Sequence, residues 1–125
     1  MGLIKRHEKT VREFAQRAVE ECGPLIDAIV LYGSVAKGKA RRGSDIDVFI
    51  IYHGEKEIAD KLLDISCDID LKNSTVTNFI ENTPEEVERS ISLGSPFIEE
   101  VLGTGVAVYD NGTFQRLREK MLRAG

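Results

Sequence analysis

The fold is decided by residues 33–47, whose sequence is GSVAKGKARRGSDID. A continuous apolar run rich in β-branched residues, Ala28 to Tyr32, precedes this stretch, and a second apolar run follows it and ends at Tyr52. Runs of this length and composition are typical of buried strands. We therefore predict a strand over Ala28–Tyr32, a brief helix and turn over Val35–Arg42, and a second strand over Asp45–Tyr52.

Helical spacing dominates on both sides of these strands. Apolar residues three and four apart predict a first helix over about residues 5–22 and a second over about residues 55–70. Further along we predict, in order, a strand at Thr75–Ile80, a helix from Thr83, a helix from Ser95 to about Leu102, a strand at Gly105–Tyr109 and a helix at Phe114–Leu122. This order predicts an α/β (α+β) fold, a small mixed β-sheet with flanking helices, in one domain over residues 1–125.

Composition excludes several classes of function. The net charge is −4, which disfavours a protein that coats nucleic acid through bulk electrostatics. No apolar run is long enough to span a membrane, and we expect a cytoplasmic protein. Cys22, Cys67, His7 and His53 form neither a disulfide framework nor a zinc-ligand spacing, so any metal is expected to have oxygen ligands. Stability is expected to come from the core, with a partner subunit in an oligomer as a further source.

Asp45 and Asp47, called the aspartate pair below, are the strongest candidates for chemistry. Residues two apart on a strand point to the same face, so the two carboxylates share one site. Their mutual repulsion is relieved by a divalent cation such as Mg²⁺, which prefers hard oxygen ligands and takes phosphates as further ligands. The pair therefore predicts a magnesium site that receives a nucleoside triphosphate such as ATP.

The Gly33-Ser34 turn lies between the first strand and the short helix, where backbone N–H groups are free to receive phosphate oxygens. Ser34 is equally suited to capping the short helix. Ser44 is placed to fix the entrance of the second strand. Lys37, with the other cations of the connecting segment, is a candidate for neutralising phosphate charge, although a solvated loop explains those cations too.

Residues 33–47 resemble the signature of the DNA polymerase β-like nucleotidyltransferase superfamily, specifically its minimal nucleotidyltransferases. The resemblance implies that Gly33 and Ser34 bind the triphosphate, that Asp45 and Asp47 bind Mg²⁺, and that a nucleoside monophosphate passes to an acceptor hydroxyl. The helix and strand order over about residues 5–80 and the tail at residues 96–109 are similar to the family as well.

The resemblance also implies a third carboxylate on a later strand, and the sequence leaves its identity open. Asp70 is our candidate, with Asp68 and Glu81 as alternatives. Cys67–Leu71 resembles a strand that would bear such an acid, but Ile69 continues the helical stripe, so we favour a helix there. The polar residues of the predicted third strand, Thr75, Thr77 and Asn78, include no obvious ligand.

The chain has no room for the acceptor-binding domain of the larger relatives, so the resemblance implies an acceptor presented in trans. Minimal nucleotidyltransferases pair with helical HEPN-type toxins, and we expect AMP to be transferred from ATP to a hydroxyl of such a partner. The alternatives are a non-catalytic antitoxin that binds its toxin by occlusion, and transfer to a small molecule or an RNA end.

Overall fold

The computed structural model describes residues 4–124, which form helices on both faces of a four-stranded sheet. The strands are β1 (Ile26–Tyr32), β2 (Ile46–Tyr52), β3 (Thr77–Asn82) and β4 (Val106–Asp110). The helices are α1 (Lys5–Cys22), α2 (Gly33–Ala36), α3 (Lys56–Asn73), α4 (Pro84–Ser92), α5 (Pro96–Thr104) and α6 (Thr113–Ala124). A short 3-10 turn, Gly23–Leu25, connects α1 to β1.

The sheet has the strand order β3-β2-β1-β4 and is mixed, as predicted. β1 is antiparallel to both β2 and β4, whereas β2 and β3 are parallel. The parallel pair is made possible by α3, which carries the chain back to the start of the sheet. β3 is therefore an edge strand, and its first residues lie beside the first residues of β2.

Alternation along β2 divides the core into two layers. Ile46, Val48 and Ile50 pack into the layer that includes residues of α1 and α3. Phe49 and Ile51 pack into the opposite layer, with residues of α4, α5 and α6. Most residues of β1 and β2 are buried on both faces, which explains why these strands are nearly continuous apolar runs. Asp47 is two residues before Phe49 on β2, so its side chain lies on the same face of the sheet as Phe49, the face covered by α4, α5 and α6.

Most predicted elements are present, with shifted ends. β1 begins at Ile26, earlier than predicted, and the short helix occupies only Gly33–Ala36, so that the cationic residues after it form a turn. β3 is Thr77–Asn82 rather than Thr75–Ile80, because α3 continues to Asn73 and closes with Ser74 in the left-handed conformation at φ 56°. The preferred helix at Cys67–Leu71 is confirmed.

The predicted helix at Thr83 is confirmed by its cap. The Thr83 hydroxyl accepts a hydrogen bond from the N–H of Glu86, whose carboxylate accepts one from the N–H of Thr83. Over residues 4–124, no helix has the length and apolar character that crossing a membrane requires.

Candidate active site

The Gly33-Ser34 turn contacts the aspartate pair directly. Gly33 follows the last residue of β1 with φ +72°, a conformation that favours glycine. A Cβ built on Gly33 would overlap Oδ2 of Asp47 and lie 3.3 Å from its Cγ. The turn and the second strand thus approach so closely that any side chain at position 33 would displace the carboxylate.

The aspartate pair lies where β2 begins. Asp47 is half-buried and lies opposite Tyr32 of β1, and Asp45 is exposed just before the strand. The apolar residues that follow anchor the strand in both core layers, so the carboxylates are attached to a rigid element. Ser44 stabilises the approach to β2, since its hydroxyl accepts a hydrogen bond of 2.8 Å from the N–H of Arg41.

Asn78 is the residue of β3 that meets the aspartate pair. It lies opposite Asp47 in the parallel register of β2 and β3. Its Nδ2 atom donates hydrogen bonds to Oδ2 of Asp45 at 3.1 Å and to Oδ1 of Asp47 at 3.3 Å. Because one nitrogen atom reaches both carboxylates, their oxygens converge on a common point.

The structure does not bring the predicted third carboxylates to this point. Asp70 caps the start of β3 from the other face of the sheet: it accepts hydrogen bonds from the Thr75 hydroxyl at 2.7 Å and from the N–H and hydroxyl of Thr77, each at 2.9 Å. Asp68 pairs with Arg17 on the outside of α3. Glu81 is four residues after Thr77 on β3, so both side chains point to the same face of the sheet, which is the face opposite the aspartate pair.

The cations between α2 and β2 are exposed, but one of them is already paired. The Nζ atom of Lys37 lies 2.7 Å from Oε1 of Glu100 in α5. Lys39, Arg41 and Arg42 are exposed, and the carbonyl of Arg42 accepts a hydrogen bond from Arg6. Positive charge is therefore present near the Gly33-Ser34 turn, although the charge of Lys37 is partly offset by Glu100.

Aromatic residues border the site on the side away from Asn78. The rings of Tyr32 and Phe97 meet edge to face at 5.4 Å, and Phe97 also contacts Phe49 at 6.1 Å. Burial, and secondarily the charge of Asp47, raise the pKa of the Tyr32 phenol. The phenol is therefore neutral at physiological pH, and Phe97, with 38% of its surface exposed, presents an apolar ring next to the turn.

Sequence reasoning missed Asn78, Tyr32, Phe97 and Glu100 as neighbours of the site. Tyr32 is the one with a detectable signal, because it directly precedes the Gly33-Ser34 turn. The other three come from β3 and α5, so their proximity depends on how distant segments pack.

The donor set fits a magnesium ion only in part. The aspartate pair supplies hard oxygen ligands, and the amide oxygen of Asn78 is a further donor of the same kind. Within residues 4–124 there is no group of three or more histidine, cysteine or acidic side chains arranged to hold a metal. The protein thus supplies a fraction of an octahedral shell, and water and substrate phosphates must supply the rest, as is usual for Mg²⁺.

A glycine-serine turn, a strand-borne aspartate pair and a mixed four-stranded sheet define a nucleotidyltransferase. The family model described as nucleotidyltransferase domain matches residues 8–119, and the chain belongs to this family. A protein of Methanocaldococcus jannaschii named as a protein adenylyltransferase is 30% identical over 102 residues, which cover 82% of this chain and 97% of that protein. The predicted family and the predicted enzyme class are confirmed.

Solved structures share the fold. A toxin-antitoxin crystal structure with AMP-PNP aligns with a TM-score of 0.59 at 15% identity, over 89% of this chain and 83% of that chain. A mutant of the MntA-HpeT toxin-antitoxin aligns with a TM-score of 0.57 at 12% identity, over 88% and 82%. At these identities the likeness concerns the fold.

Proposed function

We propose that this nucleotidyltransferase transfers AMP from ATP, with Mg²⁺, to a hydroxyl group of a partner protein, and that the partner is a HEPN-type toxin which the transfer inactivates. The observation that carries the proposal is the contact between Gly33 and Asp47, which brings the proposed phosphate-binding segment and the proposed cation ligands together at one end of the two central strands. Transfer of a nucleotide requires these two functions within a few ångströms of each other.

The residues have distinct roles in this reaction. Gly33 allows the triphosphate to approach the backbone at the start of α2, where N–H groups and the Ser34 hydroxyl receive phosphate oxygens. Asp45 and Asp47 hold the cation. Ser44 keeps the entrance of β2 in place, and Lys37 exchanges Glu100 for a phosphate oxygen. Magnesium, when bound, offsets charge on the phosphates and favours ionisation of the acceptor hydroxyl.

The bond changes are those of a substitution at phosphorus. The acceptor oxygen forms a bond to the α-phosphorus as the bond between that atom and the bridging oxygen to the β-phosphorus breaks. Pyrophosphate leaves, and the hydroxyl proton passes to water. The chain's contribution is mainly to position the reactants and stabilise charge, as is general for phosphoryl-type transfer.

A protein acceptor is supported by the open side of the site. Asn78 is exposed, and so are Val76, just before the edge strand β3, and Ile80, on the same face of that strand as Asn78. A large acceptor therefore has access to the aspartate pair from this side. The name of the Methanocaldococcus jannaschii relative points to the same acceptor class, and the toxin-antitoxin structures of the same fold support a toxin as the partner.

Transfer is tested with radiolabelled ATP and Mg²⁺, incubated with this protein and a HEPN-type protein encoded beside it. The HEPN-type protein should acquire one label, and Asp45→Asn with Asp47→Asn should abolish labelling. Asp64→Asn is the matched control, because it removes an exposed carboxylate of α3 far from the aspartate pair and should leave labelling unchanged. Labelling that persists in the double variant would remove the pair from the mechanism.

A second function, inhibition of the toxin by occlusion without chemistry, is favoured by the amide at position 78. Two carboxylates and one amide form a weaker cation site than three carboxylates would. Cell survival on toxin expression separates the two functions. If the double aspartate variant protects cells as well as the parent protein does, occlusion accounts for the protection; if protection is lost while the complex still forms, transfer accounts for it.

A further inference from the structure

We propose that Asn78 completes the cation site by rotating its side-chain amide, so that the oxygen atom takes the place of the nitrogen atom. Without a cation, its nitrogen donates to both aspartates and holds them together; with a cation, the amide rotates and its oxygen becomes a ligand. This inference rests on the proposed function and assigns a role to a residue that the sequence motif does not contain.

The position of Asn78 is determined by the sheet. Parallel pairing of β2 and β3 sets Asn78 directly opposite Asp47, and residues paired across strands project from the same face. The side chain is exposed, and its nitrogen lies within 3.3 Å of both carboxylates. No large movement is therefore needed to place either end of the amide at the point where the carboxylates converge.

The chemistry of the amide explains why one residue serves both states. Two neighbouring carboxylates repel each other, and an NH₂ group provides two donors that offset the repulsion. Once a divalent cation lies between the carboxylates, a donor N–H would face positive charge. Rotation about the last side-chain bond replaces the nitrogen with the carbonyl oxygen, an accepted ligand of hard cations.

Because Asn78 is uncharged, the charge of the site comes from the two aspartates alone. The aspartate pair carries a formal charge of −2, which a single divalent cation neutralises. The other residues of β3 on the face of Asn78 are Ile80 and Asn82, so this strand adds no further carboxylate there. The protein by itself is thus suited to one divalent cation, and any second cation must be held largely by the triphosphate.

Manganese binding tests the proposal without relying on catalysis. The purified full chain is titrated with Mn²⁺ alone, and free Mn²⁺ is measured by electron paramagnetic resonance. Asn78→Leu, which keeps the size but removes both polar ends, should weaken binding by about tenfold or more, the range seen when groups that support a metal are removed. Asn78→Asp should tighten binding by a similar factor and allow a second Mn²⁺ to bind.

The control is Asn82→Asp, on the same strand and face but opposite Ile51, away from the aspartate pair. It should bind Mn²⁺ as the parent does, which excludes a general effect of added charge. Circular dichroism checks that each variant is folded. With a chelator present, Asn78→Asp should lower the Tm, and Mn²⁺ should restore it; a structural role of Asn78 alone would not give this cation-dependent recovery.

Equal Mn²⁺ affinity in the parent and in Asn78→Leu would overturn the proposal, as would a parent protein that does not bind Mn²⁺. Failure of the proposed function is a separate result. If Asp47→Asn and Asn78→Leu both weaken Mn²⁺ binding while no partner is labelled, the cation site stands and protein adenylylation does not.

Discussion

Two clusters of aspartate and asparagine lie at opposite ends of β1 and β2, and they differ in how completely their carboxylates are satisfied. At one end, Asp27 is buried with 7% of its side chain exposed. Its Oδ2 accepts from Nδ1 of His53 at 2.9 Å and its Oδ1 from Nδ2 of Asn111 at 3.0 Å. At the other end, two carboxylates share the single amide of Asn78 and remain open to solvent.

The comparison contrasts a carboxylate whose oxygens are both hydrogen-bonded with carboxylates that share too few donors. A buried carboxylate with a partner on each oxygen holds the ends of strands together and has no capacity left for a ligand. Converging carboxylates with too few donors hold excess negative charge, which a cation relieves. Thus the ratio of acids to donors, rather than the residue types present, distinguishes the two ends of the sheet.

The largest expected effect is on activity, at the end of the sheet that carries the aspartate pair. Asp45→Asn and Asp47→Asn, made singly, should each reduce nucleotidyl transfer by about a hundredfold or more, because transition-state charge loses its stabilisation. The free energy of unfolding should change by no more than about 1 kcal/mol, since Asp45 is exposed, Asp47 is only half-buried, and relief of the repulsion between them offsets a weakened hydrogen bond from Asn78. A large loss of stability in denaturant titrations would mean that the aspartate pair is structural.

At the other end of the sheet, substitution of Asp27 should reduce stability and leave nucleotide binding unchanged. Asp27→Ala removes the acceptor of both His53 and Asn111 and should lower the free energy of unfolding by about 1–3 kcal/mol, the cost of disrupting a buried polar network. Affinity for a non-hydrolysable ATP analogue, measured by calorimetry below the unfolding transition, should be unchanged. If affinity falls while stability does not, the contrast between the two ends is incorrect.

A smaller effect comes from the backbone beside Asp47. Gly33→Ala and Gly38→Ala both place a side chain on a residue of positive φ, at +72° and +69°, and each should cost about 1 kcal/mol of stability. Only Gly33→Ala also displaces Asp47, because a Cβ at Gly38 would have no heavy atom within 4 Å.

Nucleotide affinity should therefore fall by about tenfold or more in Gly33→Ala and remain near the parent value in Gly38→Ala, since small misplacements of site residues are costly. Calorimetric titration of both variants provides the measurement. Equal losses in the two variants would assign the effect to backbone strain and not to the contact with Asp47.

The smallest effect concerns the Lys37 ammonium group, which lies near the aspartate pair. Glu100→Gln releases Lys37 from an exposed ion pair, which costs at most about 1 kcal/mol of stability. Because the freed cation is then available to the triphosphate, KM for ATP should fall by a factor of about two to five at low salt, and the difference should shrink as salt screens the charge. An unchanged or higher KM would indicate that Lys37 remains in solution when nucleotide binds.

Local pattern was sufficient where one segment holds all the information. The apolar spacing of α1 and α3 predicted their faces, and Asp45 and Asp47 were assigned to a shared face because residues two apart on a strand must point the same way. Gly33 and Ser34 directly follow β1, as predicted from the end of the apolar run, but they are the first two residues of α2 and not a turn before it. The brief helix and turn predicted over residues 35–42 are both present, but α2 begins two residues earlier, at Gly33, and the turn follows it at once.

Pattern failed where two segments meet. Asp70 was the candidate for the third acid, yet α3 runs past it to Asn73, and the carboxylate caps the first residues of β3 on the other face. Because β3 starts two residues later than predicted, the same residues still point to the same faces of the sheet. Knowing the face of each residue did not reveal which one lies opposite Asp47. Asn78 was considered among the polar residues of this strand and was not recognised as a partner of the aspartates.

The sequence by itself determined the enzyme class and located the candidate site, because the Gly33-Ser34 segment and the aspartate pair lie within one short stretch whose geometry follows from local periodicity. Only the tertiary structure decided that an amide and not a third acid lies opposite Asp47, and that Lys37 is paired with Glu100. The physical reason is that the register of β3 against β2 and the position of α5 depend on packing between segments far apart in the chain, which no local pattern encodes.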